Sequence, residues 1–262
     1  MLIVVYTLGC KINRIESRSV IAELTALGHE TTEDFVPADL YVINTCAVTA
    51  EAERKSRQMV SKAARVSPGA KVIILGCSGQ NDREAFGRFD NVVFIGGAAS
   101  KARAVREYID GAGGASGRFA LPEVYEEMRL PARTKTREFV KVQDGCDNFC
   151  SYCIVPYLRG SSRSRGLDSI AAELNAVEAK EIVLSGVNLS DYGSNIGAGL
   201  TDLLRTAGAA TSARIRLGSL EARVITDGLL QTMSEINFCR HFHLSLQSGS
   251  AEVLRAMNRK YT

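Results

Sequence analysis

Three closely spaced cysteines form the part of this sequence best suited to metal chemistry. Cys146, Cys150 and Cys153 occur in the run GCDNFCSYC, with the spacing C-x3-C-x2-C. Three thiolates at this spacing can bind three irons of one 4Fe–4S cluster, which leaves the fourth iron without a protein ligand. An iron with an open position can bind a substrate or a cofactor. The spacing therefore predicts a catalytic iron–sulfur centre.

Zinc is the alternative metal for these cysteines. Structural zinc sites usually pair cysteines as C-x2-C and need four ligands, whereas no second pair lies near this run. His241 and His243 alternate with apolar residues and would share one face of a strand, where they could bind metal. A place in the interior or wall of a site is the favoured interpretation for both histidines, and Cys239 is interpreted as a lone core thiol.

The composition predicts a cytoplasmic protein without a membrane segment. The 262 residues are enough for two domains, and 45% hydrophobic with 23% charged residues is typical of globular proteins. No run approaches the roughly 20 apolar residues of a membrane span, and the N-terminus lacks the basic region of a signal peptide. Seven cysteines in such a chain favour a reducing compartment. The net charge of +3 permits a nucleic-acid partner.

Three short apolar runs in the first half each lead to a cysteine. LIVVYTLG precedes Cys10, DLYVINT precedes Cys46 and KVIILG precedes Cys77. Such runs are typical of buried parallel strands. Helical segments follow the first two runs, and a fourth run, NVVFIGG, carries no cysteine. The alternation predicts a doubly wound parallel α/β sheet as a first domain over residues 1–110.

The ends of these strands predict a second metal site. In open α/β sheets, ligands bind at the carboxyl edge of the strands. Cys10, Cys46 and Cys77 would all lie on that edge, so a second three-thiolate set with one open iron is expected. The alternative is three unrelated buried cysteines, because free cysteine is among the most buried residue types.

Three sequence signals mark helix starts. Asn13 and Glu16 have the spacing of a capping box after the first strand, and Asp168 and Thr226 are expected N-caps in the second half.

The second half predicts part of a β/α barrel over residues 138–262, after a linker at 111–137. EFVKVQDG, EIVLSG, RIRLGS and HFHLSLQ are its four expected strands, with helical segments between them. The cysteine loop follows the first strand, where the active site of such a barrel belongs. Four basic residues at the linker end could line the path of an anionic substrate, although a solvated charge run is favoured: Arg129, Arg133, Lys135 and Arg137.

Several motifs together resemble the radical SAM methylthiotransferases. GCDNFCSYC resembles the radical SAM signature, and TLGCKINRIES, VINTCAVTAEAERKSRQ and ILGCSGQ resemble the N-terminal domain of that family. LRGSSRSRG, IVLSGVNLSDYG, IRLGSLEARVIT, HLSLQSGS and VLRAMNRKYT match further blocks in order. The resemblance implies an N-terminal doubly wound domain followed by a partial radical SAM β/α barrel.

The resemblance also implies a substrate. TLGCKIN, QSGS and MNRKYT look most like the branch that acts on N6-threonylcarbamoyladenosine next to the tRNA anticodon. The other branches act on N6-isopentenyladenosine in tRNA or on a ribosomal-protein aspartate, and they remain alternatives. A non-catalytic iron–sulfur or zinc-binding module, such as a redox carrier, is the alternative of a different class.

Two 4Fe–4S clusters and S-adenosyl-L-methionine are the cofactors that the resemblance implies. The cluster at Cys146, Cys150 and Cys153 would cleave S-adenosylmethionine to a 5′-deoxyadenosyl radical, which abstracts hydrogen from carbon 2 of the adenine. The cluster at Cys10, Cys46 and Cys77 would hold and donate a methylated sulfur. A reductant such as flavodoxin or ferredoxin, the modified tRNA and S-adenosylmethionine are the implied partners.

Residues near the strand ends are the expected cofactor contacts. The resemblance places Tyr152 near the adenine and Gly186 near the methionine part of the cofactor. Five further residues at later strand ends are candidates for cofactor or substrate contacts: Arg216, Ser219, Glu221, Gln247 and Ser248. Three arginines after the cluster loop could meet tRNA phosphates, with a solvated surface as the alternative: Arg159, Arg163 and Arg165.

The chain departs from the family in its length. Family members continue past MNRKYT with the rest of a six-stranded barrel and a small RNA-binding domain called TRAM. A truncated chain is therefore expected, with an unpaired last strand, an uncovered apolar face, an incomplete cofactor site and weak tRNA binding.

Overall fold

The computed structural model describes residues 1–111, 119–130 and 133–262. They form two compact units, one of Met1–Pro122 with Met128–Pro131 and one of Glu123–Glu127 with Ala132–Thr262. Residues 112–118 and 131–132 of the predicted linker lie outside the described residues.

The first unit alternates strands and helices. Its strands are β1 (Leu2–Thr7), β2 (Glu30–Thr32), β3 (Leu40–Thr45), β4 (Lys71–Gly76) and β5 (Val92–Ile95). Its helices are α1 (Lys11–Ala26), α2 (Ala50–Val66), α3 (Cys77–Asn81), α4 (Arg83–Gly87) and α5 (Lys101–Ile109). The strands form one sheet in the order β2-β1-β3-β4-β5, and every adjacent pair is parallel.

Apolar side chains cover both faces of this sheet. Val20 and Leu24 of α1 pack with Ala104 and Val105 of α5 on one face. Residues of α2 and α4 pack on the other face, among them Val60. Strands buried on both faces are expected to be continuously apolar, and all six residues of β3 are buried. The predicted doubly wound parallel domain is confirmed.

The second unit is built on a smaller parallel sheet. Its strands are β6 (Arg133–Lys141), β7 (Gln143–Asp144), β8 (Arg163–Ser164), β9 (Val177–Ser185), β10 (Arg214–Leu217), β11 (Ser219–Leu220) and β12 (His243–Leu244). Its helices are α6 (Val155–Arg159), α7 (Leu167–Asn175), α8 (Leu200–Ala210), α9 (Asp227–Glu235) and α10 (Ala251–Ala256). The main sheet has the order β10-β9-β6, while β11 and β12 form a separate parallel pair and β7 and β8 an antiparallel one.

The core of the second unit lies on one face of the β10-β9-β6 sheet. Val140, Ile182 and Ile215 point into it and meet apolar residues of α7 and α8, such as Ile170 and Leu204. The fourth predicted strand, HFHLSLQ, is much shorter than expected, because only the two residues of β12 pair. Three apolar side chains within HFHLSLQ are exposed, namely Phe242, Leu244 and Leu246.

The helix-start predictions have mixed outcomes. Thr226 caps α9 as expected, because its hydroxyl accepts a hydrogen bond from the Leu229 amide. Asp168 lies in the first turn of α7, whose N-cap is Gly166. The capping box at Asn13 and Glu16 is wrong: α1 begins one turn earlier, and both side chains are buried.

None of the helices among the described residues combines the length and the apolar character that crossing a membrane requires.

Candidate functional site

A tight backbone turn presents the second-unit cysteines. Gly145 has φ +72°, and a Cβ at this position would lie 1.9 Å from the carbonyl oxygen of Ser161. Only glycine fits such a close approach at positive φ. The Cys146 amide then donates to the Gly160 carbonyl at 3.0 Å. The start of the cysteine loop, Gly145-Cys146, therefore packs against the backbone of residues 160–161.

All three cysteines of this loop line one cleft. The cleft is an open cavity of about 130 Å³ within the second unit. The residues that surround it are Cys146, Asn148, Cys150, Tyr152, Cys153, Val155, Val187, Asn188, Ser219, Leu220, Glu221, Ser245, Gln247 and Arg259. They come from the cysteine loop, from the ends of β9 and β11, and from the segments beside β12 and α10, so the carboxyl ends of the strands build the cleft as predicted.

Two thiols of the cleft receive hydrogen-bond donors from distant parts of the chain. Asn188 Nδ2 lies 3.7 Å from Cys146 Sγ, and Arg259 Nη1 lies 3.3 Å from Cys150 Sγ. Burial raises the pKa of the Cys146 thiol to about 11, an effect that the Asn148 backbone amide and the Asn188 side chain oppose. Metal binding needs the thiolate, and donors of this kind stabilise it.

The donor set fits an iron–sulfur cluster. Three thiol sulfurs face one cleft, and hydrogen-bond donors to sulfur are typical surroundings of cluster ligands. Among the described residues, no three His, Cys, Asp or Glu side chains converge on the position of a single metal ion. The lining instead offers three sulfurs and further polar groups around a shared space.

The cleft contains four of the seven expected cofactor contacts. Tyr152, Ser219, Glu221 and Gln247 all line it. Gly186 lies at the end of β9, where a Cβ would come within 2.7 Å of Gln143 Oε1. Two others have different surroundings in the structure: Arg216 contacts Glu181 and His241, and Ser248 accepts a hydrogen bond from the Ser250 amide.

The three arginines after the cysteine loop are buried, which contradicts both the predicted tRNA phosphate contacts and the alternative of a solvated surface. Arg159 and Arg163 both face the carboxylate of Asp144, at 3.0 and 3.6 Å. Arg165 pairs with Glu127 at 2.9 Å and also with Glu173. Buried cations are retained where carboxylates compensate them. Arg159 and Arg163 pair with Asp144 directly before Gly145-Cys146, whereas Arg165 contacts residues outside the cysteine loop.

The first-unit cysteines follow three neighbouring strands. In the sheet register Thr7 lies opposite Asn44, and Thr45 lies opposite Gly76. Cys46 and Cys77 come directly after β3 and β4, while Cys10 comes three residues after the end of β1. All three cysteines therefore lie at the carboxyl edge of adjacent strands, as the sequence predicts.

Two glycines let the strand ends approach one another. A Cβ at Gly9 would lie 2.6 Å from Cys46 Cβ, and one at Gly76 would lie 2.6 Å from Asn44 Oδ1. Both glycines have positive φ, +95° and +96°, which L side chains rarely adopt. Each immediately precedes a cysteine, so the two glycines fix where the chain turns to present Cys10 and Cys77.

A buried polar network supports these strand ends. Lys101 Nζ lies 2.5 Å from Glu16 Oε2, 2.9 Å from Asn44 Oδ1 and 3.4 Å from Asn13 Oδ1. Asn13 Nδ2 in turn donates to the carbonyls of Leu8 and Thr45, which flank Gly9-Cys10 and Cys46. One buried cation thereby connects the loops that carry two of the cysteines.

Comparisons with known proteins find similar sequences for both cysteine-containing regions. Residues 2–96 match the profile described as uncharacterized protein family UPF0004, and residues 140–262 match the radical SAM superfamily. The threonylcarbamoyladenosine tRNA methylthiotransferase MtaB of Chlamydia pneumoniae is 37% identical over 97% of this chain and 60% of its own length. The protein of the same name from Bacillus subtilis (strain 168) is 35% identical over 98% of this chain and 60% of its own. This chain therefore has a radical SAM domain after a UPF0004 domain, and nearly all of it is similar to tRNA methylthiotransferases.

Relatives with a different printed substrate also match. A tRNA-2-methylthio-N(6)-dimethylallyladenosine synthase of Azobacteroides pseudotrichonymphae genomovar. CFP2 is 35% identical over 99% of this chain and 61% of its own length. The chain spans about 60% of the length of the curated relatives it matches. A radical SAM domain implies S-adenosylmethionine and a 4Fe–4S cluster, for which the cleft offers the three cysteines.

Four residues of the two sites escaped sequence reasoning. Asn188 and Arg259 contact cysteine sulfurs, and Asn44 and Lys101 build the buried network of the first unit. Asn188 lies in IVLSGVNLSDYG and Arg259 in VLRAMNRKYT, two of the motifs that resemble the family, so the resemblance could have indicated both residues. No local pattern marks Lys101, which reads as an ordinary helix-surface lysine.

Proposed function

We propose that the protein is a tRNA methylthiotransferase that modifies carbon 2 of N6-threonylcarbamoyladenosine next to the anticodon. The observation that carries this proposal is the presence of two separate three-cysteine sets, one lining a cleft of the radical SAM domain and one at the strand ends of the N-terminal domain. One set suits the start of a radical reaction, and the second suits storage of the sulfur to be inserted.

Each cysteine set is assigned one cofactor. Cys146, Cys150 and Cys153 would hold the 4Fe–4S cluster that binds S-adenosylmethionine, and Cys10, Cys46 and Cys77 would hold a second 4Fe–4S cluster. When bound, the two clusters supply reductive cleavage of S-adenosylmethionine and a sulfur donor. The chain itself positions these groups, shapes the cleft and orients the substrate.

The lining of the cleft provides the contacts for S-adenosylmethionine. Tyr152 offers an exposed ring for the adenine, and Ser219 and Gln247 offer polar groups that can bind the ribose or the amino-acid part. Glu221 is buried and pairs with Arg223 at 2.6 Å and Arg259 at 3.0 Å. Because these cations already engage its carboxylate, Glu221 serves mainly to orient the groups around it.

Threonylcarbamoyladenosine is the favoured substrate, and dimethylallyladenosine is the second candidate. Two of the similar relatives described above carry the threonylcarbamoyl name, at 37% and 35% identity. A dimethylallyladenosine synthase at 35% identity supports the second candidate. The motifs TLGCKIN, QSGS and MNRKYT favour the first. The reaction would take place in the cytoplasm, where tRNA and a reductant such as flavodoxin or ferredoxin are present.

Nucleoside mass spectrometry of bacterial tRNA tests the proposal. A strain that lacks its own threonylcarbamoyladenosine methylthiotransferase is complemented with the gene for this protein. The expected result is the return of 2-methylthio-N6-threonylcarbamoyladenosine. A strain that lacks the dimethylallyladenosine enzyme is complemented in parallel and should stay unmodified.

The outcome in the two strains separates the candidates. Restoration in the second strain alone would assign the dimethylallyladenosine substrate. Restoration in neither strain, with the protein expressed and loaded with iron, would contradict a tRNA methylthiotransferase. Cys146→Ala serves as the inactive control in both strains.

A further inference from the structure

The segment after α10 contacts the cysteine loop at its backbone. The amide of Ser151 donates to the Met257 carbonyl at 3.1 Å. Asn258 Nδ2 donates to the carbonyls of Asn148 and Phe149, at 3.1 and 2.9 Å. Three hydrogen bonds therefore connect residues 148–151 to a segment more than 100 residues later in the chain.

These hydrogen bonds hold an unfavourable backbone conformation. Phe149, between the first two cysteines of the loop, has φ +46°, and Asn258 has φ +56°. Asparagine tolerates the left-handed region, but a bulky residue such as phenylalanine is strained there. Such strain persists only where surrounding contacts over-determine the conformation. The Asn258 amide supplies such contacts, since it binds the carbonyls on both sides of the strained residue.

Arg259 continues the same contact to a cysteine sulfur. Its side chain is only 6% exposed, and its Nη1 lies 3.3 Å from Cys150 Sγ. Its Nη2 lies 3.0 Å from Glu221 Oε1. Its Nε is buried and has no hydrogen-bond partner among the described residues. A buried guanidinium with one open donor thus borders the cleft directly beside a cluster ligand.

Glu221 connects Arg259 to the loop from a second side. The same Oε1 that faces Arg259 accepts a hydrogen bond from Asn148 Nδ2 at 2.6 Å. Asn148 also gives its backbone carbonyl to Asn258. Asn148 is therefore held at two points. Its side chain binds Glu221, which pairs with Arg259, and its backbone carbonyl binds Asn258.

We propose that Met257, Asn258 and Arg259 form a clamp that holds the cysteine loop in its ligand-binding conformation, and that Arg259 raises the reduction potential of the cluster bound there. Hydrogen bonds to ligand sulfurs are among the factors that set the potential of iron–sulfur clusters. A cation and its N–H donor at Cys150 stabilise the reduced state, which carries one more negative charge. Asn258 and Arg259 are positioning residues, because neither is a ligand.

The test isolates one cluster. This inference rests on the proposed cluster at Cys146, Cys150 and Cys153, so the chain is first changed to Ala at Cys10, Cys46 and Cys77. After anaerobic reconstitution this background should hold about four irons. Into it are placed Arg259→Met, Arg259→Lys and the control Arg255→Met, which removes an exposed arginine of α10. Reductive titration followed by electron paramagnetic resonance gives the cluster potential of each variant.

The expected result is a more negative potential in Arg259→Met. A tenfold shift of the reduction equilibrium corresponds to about 59 mV for one electron, and a shift of this order is expected. Arg259→Lys keeps the charge and should fall between Arg259→Met and the background protein. Arg255→Met should match the background protein. An unchanged potential in a folded, iron-loaded Arg259→Met protein would overturn the assignment of Arg259.

The clamp has its own readout. Asn258→Ala removes the hydrogen bonds to Asn148 and Phe149 and should release iron to a chelator several-fold faster than the background protein. Asn258→Asp keeps an acceptor but no donor and should behave like Asn258→Ala. Iron release at the background rate in both variants would contradict the clamp.

Two failures can be told apart. A background protein that takes up no iron would count against the proposed cluster itself, and hence against the proposed function. A background protein that loads normally while the Arg259 and Asn258 variants match it would contradict only the clamp. If Arg259→Met does not fold, the reduction potential of the cluster in Arg259→Lys is the test. A potential equal to that of the background protein would contradict the role of the guanidinium.

Discussion

Cys46 packs against the backbone of Gly9, so closely that a Cβ at Gly9 would lie 2.6 Å from Cys46 Cβ and 2.8 Å from its Sγ. Gly9 directly precedes Cys10, so this contact joins two of the three strand-end cysteines. The same position would approach Asn13 Nδ2 at 3.2 Å, and Asn13 belongs to the Lys101 network. Cys10 and Cys46 can therefore lie close together only because Gly9 has no side chain.

Gly9→Ala should remove the iron that we propose for Cys10, Cys46 and Cys77. The new methyl group clashes with Cys46, and the backbone also has φ +95°. Gly28→Ala is the matched control, because φ is +81° there but no atom lies within 4 Å of the new Cβ. After anaerobic reconstitution, Gly28→Ala should keep about eight irons per chain and Gly9→Ala about four. Equal iron content in the two variants would show that the contact with Cys46 has no role in cluster binding.

Lys101→Met should strongly destabilise the first unit. The substitution removes the cation that lies 2.5 Å from the buried carboxylate of Glu16, and breaking a buried ion pair typically costs about 3–5 kcal/mol. Arg103→Met on the same helix removes a mostly exposed partner of Glu107 and should cost about 0.5 kcal/mol or less. Urea unfolding of both variants provides the comparison. A loss below about 1 kcal/mol in Lys101→Met would mean that the buried pair is not structurally required.

Glu181 should make the second unit acid-sensitive. Burial disfavours its charged form, but the guanidinium groups of Arg214 and Arg137 outweigh burial and hold its pKa below the ordinary value. A carboxyl whose pKa is lowered on folding stabilises the protein above its unfolded pKa and loses that contribution as pH falls through the folded value. Glu181→Gln should therefore be less stable than the unmodified protein at pH 7.

The difference between the two proteins should shrink as pH falls below about 4.3, the ordinary pKa of glutamate. Chemical unfolding at a series of pH values measures it. A difference that stays constant or grows towards acid pH would show that the charge of Glu181 is not the stabilising feature.

The parts of the fold that sequence could predict are those with local signals. Strands buried on both faces are continuous apolar runs, so the sequence predicts β1, β3 and β4 together with the cysteines that follow them. The fourth barrel strand was overestimated because HFHLSLQ alternates like a strand, yet only His243 and Leu244 pair. Alternating polar and apolar residues favour a strand, but a strand forms only where a neighbouring strand provides backbone hydrogen bonds.

The parts that sequence could not predict depend on pairs far apart in the chain. Asn13 and Glu16 have the spacing of a capping box, but their partner is Lys101, 85 residues beyond Glu16. Arg159 and Arg163 read as surface cations until the fold brings the Asp144 carboxylate between them. Likewise, 109 residues separate Cys150 from Arg259. In each case tertiary contacts decide whether a polar residue is exposed or buried.

The most direct test of two cysteine sets with separate tasks is to measure two products in one reaction. The reconstituted protein is incubated anaerobically with reductant, S-adenosylmethionine and tRNA that carries threonylcarbamoyladenosine, and 5′-deoxyadenosine and the methylthiolated nucleoside are quantified by mass spectrometry. Changing Cys146, Cys150 and Cys153 to Ala should abolish both products. Changing Cys10, Cys46 and Cys77 to Ala should leave 5′-deoxyadenosine and abolish the methylthiolated nucleoside. Methylthiolation that persists without Cys10, Cys46 and Cys77, or 5′-deoxyadenosine that persists without Cys146, Cys150 and Cys153, would contradict this division of tasks.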